Sequence, residues 1–255
     1  RRGARVQVVG YEPDVGDGAA LRVASEGRVI REQLDAGREV AYALGERHCA
    51  GHEDGERHEA CDAPATPYCP EHTSRWPCAQ CRGQCDRPVE ACREEHAVYL
   101  AAFAPATFKV GVTRSWRLDE RLREQGADRA AHVHTVSDGR IARQMEADIA
   151  TDVGDRVRVA EKVAGLHRQV DDDAWRDLLE EFSVIERYDF AYDLDLDHRP
   201  VTATMAAGTV RGTKGRLLFL DRGATTYAVD MRELVGYELH EGDAGARQSS
   251  LAAFE

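Results

Sequence analysis

Ala97-Val-Tyr-Leu-Ala-Ala-Phe103 and Phe108-Lys-Val-Gly-Val-Thr113 stand on either side of Pro105 and read as two strands joined by a turn. The first is an unbroken apolar run, as expected of a strand covered on both faces. Working outward, residues 117–125 place Leu118 and Leu122 at helical spacing, and Gln125-Gly126-Ala127 marks the end of that helix, with Gly126 just past the cap. A strand is expected over 130–136. A helix from Arg140 follows, with Ile141, Met145 and Ile149 on one face. Further helices are expected over 158–182, where Trp175, Leu178, Leu179 and Phe182 share a face. The core is thus β-hairpin–α–β–α, and the fold class is α+β.

Both ends of the chain read as β structure. Residues 5–45 alternate apolar and polar side chains (Val6, Val8, Leu21, Val23) between turns at Gly10, Gly16, Gly18 and Gly27. Near 200–241, short apolar segments alternate with glycines, and a small barrel or a sheet completed by the N-terminal strands accounts for them. The resulting division is an N-terminal β segment over 1–46, a cysteine block over 47–96, the α/β core with its following helices over 97–183, a C-terminal β segment over 184–241, and a tail over 242–255.

All seven cysteines fall in the block before the hairpin. Cys49-x11-Cys61-x7-Cys69-x2-His72 supplies one tetrahedral set, and Cys78-x2-Cys81-x3-Cys85-x6-Cys92 a second. Short C-x2-C and C-x2-H knuckles place two soft ligands on one turn, as zinc requires. His52 is an alternative to Cys61, and His96 an alternative in the second set. Two structural zinc ions are therefore expected, because a site with four protein ligands leaves no position for substrate. Seven thiols suit a disulfide framework poorly. His48 and His58 lack ligand spacing and read as solvated polar residues.

The chain has 255 residues, 34 Lys+Arg against 46 Asp+Glu, and a formal net charge of -12. Its 42% hydrophobic content excludes wholesale disorder. The longest apolar run, residues 97–106, is too short to span a bilayer. The opening Arg1-Arg-Gly-Ala-Arg-Val6 has no apolar export segment, so a soluble, cytoplasmic protein is expected. Three lysines stand against thirty-one arginines. With the acidic excess, this fits a halophilic surface that stays hydrated in strong salt, and it leaves room for a local basic face. Residues 108–123 form such a face: Lys109, Arg114, Arg117, Arg121 and Arg123 against Asp119 and Glu120. Nucleic acid is the expected partner.

The hairpin and helix resemble the GIY-YIG nuclease fold, in the branch with a Val-Tyr … Lys-Ile-Gly-x-Thr signature. The resemblance implies that Tyr99 is the first-motif tyrosine, Gly111 the second-motif glycine, Arg121 (or Arg117) the helix arginine and Glu146 the ligand of a Mg2+ or Mn2+ ion. The chain departs from the pattern at Lys109, where the second tyrosine usually stands, and at Ala97, where a glycine does. Arg121 lies about two residues farther along than usual, and the terminal asparagine has no counterpart. With Lys109 replacing the missing tyrosine as a phosphate ligand or proton donor, and Arg114 joining Arg121 on the scissile phosphate, the expected catalytic set is Tyr99, Lys109, Arg114, Arg121 and Glu146, with Arg117 and Arg123 binding nucleic acid. Glu95-His-Ala-Val-Tyr-Leu100, Lys109-Val-Gly-Val-Thr-Arg114, Glu124-Gln-Gly-Ala127 and the later Gly212-Thr-Lys-Gly215 are similar to the family called domain of unknown function 2797, in its haloarchaeal type. That resemblance implies no activity. The expected function is zinc-containing nucleic-acid processing, with metal-dependent endonuclease action as its concrete form. The alternatives are a nucleic-acid binder without cleavage and a protein-interaction module of an RNA- or ribosome-associated assembly. His132 and His134 read as a hydrogen-bonded pair, and Trp76 and Trp116 as packing residues, although a tryptophan beside basic side chains also stacks bases.

Overall fold

The computed structural model describes residues 5–73, 82–85 and 90–242. In chain order the strands begin with β1 (Val6–Glu12), β2 (Ala20–Ser25), β3 (Arg28–Gln33), β4 (Glu39–Arg47), β5 (His52–Asp54) and β6 (Arg57–Glu59). Next come β7 (His96–Phe103), β8 (Thr107–Arg114), α1 (Leu118–Gln125), β9 (Arg129–Val136) and α2 (Gly139–Ile149). Then follow α3 (Val159–Gly165), α4 (Asp172–Leu179) and β10 (Glu186–Asp189). The chain closes with β11 (Val201–Thr202), β12 (Ala206–Lys214), β13 (Leu217–Arg222), β14 (Thr225–Asp230), α5 (Met231–Leu234) and β15 (Tyr237–Glu241). The fold is α+β with strands predominating.

These elements form two compact units. One takes the described residues up to 73, with 192–194 and 200–242. The other takes those from 82 to 191, with 195–199. The first unit carries a single sheet in the order β11-β14-β13-β12-β4-β15-β1-β2-β3-β6-β5. Both chain ends share it: β4 pairs with β12 on one side and β15 on the other, and β15 pairs with β1. Its core joins Val8, Leu21, Val23, Val40 and Leu44 to Leu218, Leu220, Val229, Met231 and Leu239. Residues 231–234 form the short helix α5. Asp230 caps that turn by accepting the Arg232 N–H, which buries Met231 and Leu234.

The second unit has a four-stranded antiparallel sheet, β10-β9-β7-β8. β7 lies inside it, and Ala97 through Phe103 are all buried, which explains the unbroken apolar run. Val98, Leu100 and Ala102 face a core closed by Ala142, Trp175 and Leu179. Ala97, Tyr99, Ala101 and Phe103 face Leu118 and Leu122 of α1. Gly126 ends α1 in the left-handed conformation, and its N–H returns to the Arg123 carbonyl at 2.8 Å, as the sequence predicts. On α2 the buried stripe is rotated from the expected one. Ala142 is fully covered, Met145 and Ile149 pack beside it, and Ile141 is half exposed. A small residue there lets α2 approach the sheet closely, which turns its neighbour outward. No helix among the described residues is long and apolar enough to cross a membrane.

Candidate metal centre and hairpin–helix cluster

Cys49 follows β4, Cys61 follows β6, and Cys69 and His72 sit on one tight turn. The ligand atoms of these four residues all lie within 4.8 Å of one another. The Nδ1 atom of His72 is 3.4 Å from the Cys49 sulfur and 3.2 Å from that of Cys69. A tetrahedral zinc with bonds of about 2.3 Å to sulfur and 2.0–2.1 Å to nitrogen separates such ligands by about 3.5 Å, so the donor set and its spacing fit a metal ion. The backbone supports the sulfurs: the N–H groups of Gly51 and Cys69 point at the Cys49 Sγ, at 3.4 and 3.2 Å. Burial works against ionisation of the Cys69 thiol, yet the N–H groups of His72 and Glu71 outweigh it and push the thiol down to about 7. Gly51 is in the left-handed region, and a Cβ there would sit 2.1 Å from the Glu59 carbonyl oxygen. The knuckle thus closes against β6 only with glycine at this position.

One Cys3His group therefore stands among the described residues, with Cys61 rather than His52 as its fourth member. His52 is exposed on β5. Cys85 is exposed and Cys92 half-buried, and neither joins a metal-ligating group among the described residues. Cys78, Cys81 and Trp76 lie outside the described residues. His96, the alternative ligand, holds its Nδ1 at 2.8 Å from the Glu94 carbonyl. His48 is not a solvated residue. It is buried, its Nδ1 lies 2.8 Å from the Cys61 carbonyl and its Nε2 3.2 Å from Glu238 of β15. His58 is likewise held, with Nε2 at 2.7 Å from the Ala50 carbonyl. Both histidines brace the loops that carry the cysteines, a role that leaves no spacing signature.

The second cluster gathers on the α1 side of β7 and β8. Tyr99 is fully buried and pairs in register with Gly111. A Cβ on Gly111 would lie 2.5 Å from both Cζ and Oη of the tyrosine, so the glycine is the seat of the phenol ring. Gln125 donates its Nε2–H to the Tyr99 oxygen at 2.5 Å, and Arg121 hydrogen bonds the same oxygen. Lys109 is two residues before Gly111, hence on the same face of β8. Burial first, then the Arg121 charge, push its ammonium down to about 8, against the pull of Glu146 and Asp155. Burial raises the Tyr99 phenol above its ordinary range; Arg121 and Gln125 oppose this, and Glu146 adds to it. Arg121 stays firmly charged, because Tyr99 and Glu124 outweigh its burial. Glu146 comes from α2, where Arg143 pairs with it at 2.6 Å.

Tyr99, Lys109, Arg121 and Glu146 therefore form one electrostatic neighbourhood. The other basic residues are held differently. Arg117 binds Glu120 at 3.1 Å and Glu124 at 2.8 Å, and it shares Glu124 with Arg121. Arg123 binds Asp119 at 2.8 Å and covers the Phe190 ring. Arg114 binds Glu94 at 3.4 Å and lies over Trp116. The sequence marks Gln125 only as part of a helix end, although its position four residues after Arg121 puts both on one helix face. His132 is tied locally, its Nε2 at 2.9 Å from the His134 carbonyl and 3.1 Å from the Thr135 hydroxyl.

Residues 68–239 match the family described as "Protein of unknown function (DUF2797)". No curated protein matches the chain, and no solved structure does.

Proposed function

The chain belongs to the DUF2797 family, whose description names no activity, and from its own residues we propose that it is a zinc-containing nucleic-acid-processing protein that hydrolyses phosphodiesters on a GIY-YIG-like core. The observation that carries this reading is that Tyr99, Lys109 and Arg121 share the α1 side of the hairpin, where the charge of Glu146 from α2 acts on both the phenol and the ammonium. Zinc on Cys49, Cys61, Cys69 and His72 holds the fold and takes no part in the chemistry.

Each residue has a role that follows from its protonation. Arg121 carries a fixed charge and a planar donor fork, so it binds the scissile phosphate. The Tyr99 oxygen accepts from Gln125 and Arg121, which engages its lone pairs, and the phenol stays protonated. It therefore positions the Arg121 guanidinium that meets the phosphate, and it does not serve as the base. Lys109 titrates near 8, close to a working pH, so its neutral amine takes a proton from water. Glu146 would be the carboxylate that holds Mg2+ or Mn2+, and the ion would supply charge neutralisation at the phosphate. That carboxylate pairs with Arg143 at 2.6 Å.

The Arg143–Glu146 pair favours a second reading, in which the same face binds nucleic acid without cutting it. Labelled single- and double-stranded DNA and RNA, offered with Mg2+ or Mn2+ at low and at molar KCl, separate the two. The salt range is chosen because the acidic, lysine-poor composition suits a halophilic protein. Cleavage by wild type and none by Glu146→Ala, with zinc content equal in both, supports hydrolysis. A retarded band without products supports the binder. Neither cutting nor retardation by folded, zinc-loaded protein would sink both readings.

A further inference from the structure

Trp116 sits on the short 3-10 turn Ser115–Arg117 that joins β8 to α1. It was expected to pack, yet its side chain is 68% exposed and belongs to none of the three apolar cores. The ring is nevertheless held: its Nε1–H donates to the Glu94 carboxylate at 3.1 Å. Two guanidinium groups flank it, Arg114 at 5.8 Å and Arg117 at 5.9 Å from the ring centre. An exposed tryptophan fixed by its polar edge, with two cations beside it, suits one class of ligand. A nucleobase stacks on the indole, and the phosphates on either side of that base meet the arginines.

We propose that Trp116, with Arg114 and Arg117, is a stacking site for an unpaired nucleobase of single-stranded nucleic acid, next to the phosphate held by Arg121. This rests on the hydrolytic reading for the position of that phosphate, since Arg117 shares Glu124 with Arg121. The arginines are not idle in the free protein: Arg114 offers Nε to Glu94, and Arg117 offers Nε and Nη2 to Glu120 and Glu124. A guanidinium has five N–H donors, so each reaches a phosphate without giving up its carboxylate. The preorganised, half-neutralised arginines make the site depend more on stacking than on bulk charge. It therefore reads single strands, whose bases are free to stack, over duplexes.

The test is a titration of the zinc-loaded full chain, without added divalent cation, by a short single-stranded oligonucleotide and by its abasic counterpart. Tryptophan fluorescence and affinity are followed for wild type, Trp116→Phe and Trp116→Ala. Because the side chain is exposed, all three should melt alike and carry equal zinc. The expected results are quenching in wild type, a loss of roughly tenfold in affinity for Trp116→Ala, and near-wild-type affinity for Trp116→Phe. The abasic strand should bind wild type as weakly as the normal strand binds Trp116→Ala. Equal affinity of wild type and Trp116→Ala, or equal affinity of wild type for both strands, overturns the proposal. So does wild type that binds neither strand. Trp116-dependent binding by a protein that never cuts in Mg2+ keeps the stacking site and removes only the hydrolytic reading. Cutting that is indifferent to Trp116→Ala does the reverse.

Discussion

The Cys3His group and the hairpin–helix cluster are assembled in opposite ways. Cys49, Cys61, Cys69 and His72 come from neighbouring loops between residues 49 and 72, and their donor atoms converge on one point. Tyr99, Lys109 and Arg121 come from β7, β8 and α1 and share one side of the hairpin, partly out of water, and the carboxylate of Glu146 on α2 acts on the first two through its charge. A closed set of soft ligands converts metal binding into folding free energy. A mixed set of buried charges does the reverse, since an ammonium held near neutrality is a cost that the rest of the fold must offset. Stability should therefore fall when the first group is altered and rise at one position of the second.

If the Cys3His group holds zinc, the largest effect is expected from removing it. Structural zinc contributes about 10 kcal/mol or more to the folding of small sites. Cys69→Ser, or a strong chelator, should strip the ion and unfold the loops around it, read as lost zinc stoichiometry and a lower melting temperature. Next comes Gly111→Ala, which forces a methyl group to 2.5 Å from the Tyr99 ring. It should destabilise by about 3 kcal/mol in denaturant unfolding, and the loss should shrink when Tyr99→Ala makes room for the methyl.

The opposite sign is expected at Lys109. Its folded pKa of about 8 lies below the ordinary lysine value, so the penalty of burying the ammonium is fully present below pH 8. It fades as pH rises from 8 to about 10.5, where the unfolded lysine also becomes neutral. Lys109→Met should thus be more stable than wild type by about 2–3 kcal/mol at pH 7, with the advantage gone above pH 10.5. If the hydrolytic reading holds, kcat/KM of wild type should rise towards a plateau above pH 8, while Lys109→Met abolishes that dependence along with the activity. Smallest of all is Arg123→Ala. Its exposed pair with Asp119 and its place over the Phe190 ring should together be worth about 1 kcal/mol or less, and an indistinguishable melt would place Arg123 among surface charges.

The same contrast explains how far the sequence could be read. The Cys-x2-His knuckle announces itself, because two ligands on one turn need a fixed short spacing. His48 does not, because a buried histidine that hydrogen bonds a carbonyl leaves no periodic trace. Strands β7 and β8 are visible as apolar runs about a turn, and the Gly126 cap follows from its place after α1. The insertion of β4 between β12 and β15 is invisible, since pairing between distant strands depends on register that no local pattern encodes. The expected stripe through Ile141 misses because a small buried residue, Ala142, carries the contact. Gln125 and Trp116 were named for a helix end and for packing, whereas their partners, the Tyr99 oxygen and the Glu94 carboxylate, lie on other elements and emerge only in three dimensions.

The proposed division between a folding metal and a chemical hairpin is tested most directly by one paired measurement. Wild type and Glu146→Ala are assayed for zinc content, melting temperature and cleavage of labelled single-stranded nucleic acid in Mg2+ or Mn2+. The account predicts equal zinc, closely similar melting and cleavage by wild type alone. Cleavage by Glu146→Ala at the wild-type rate would contradict it, and so would loss of zinc from that variant.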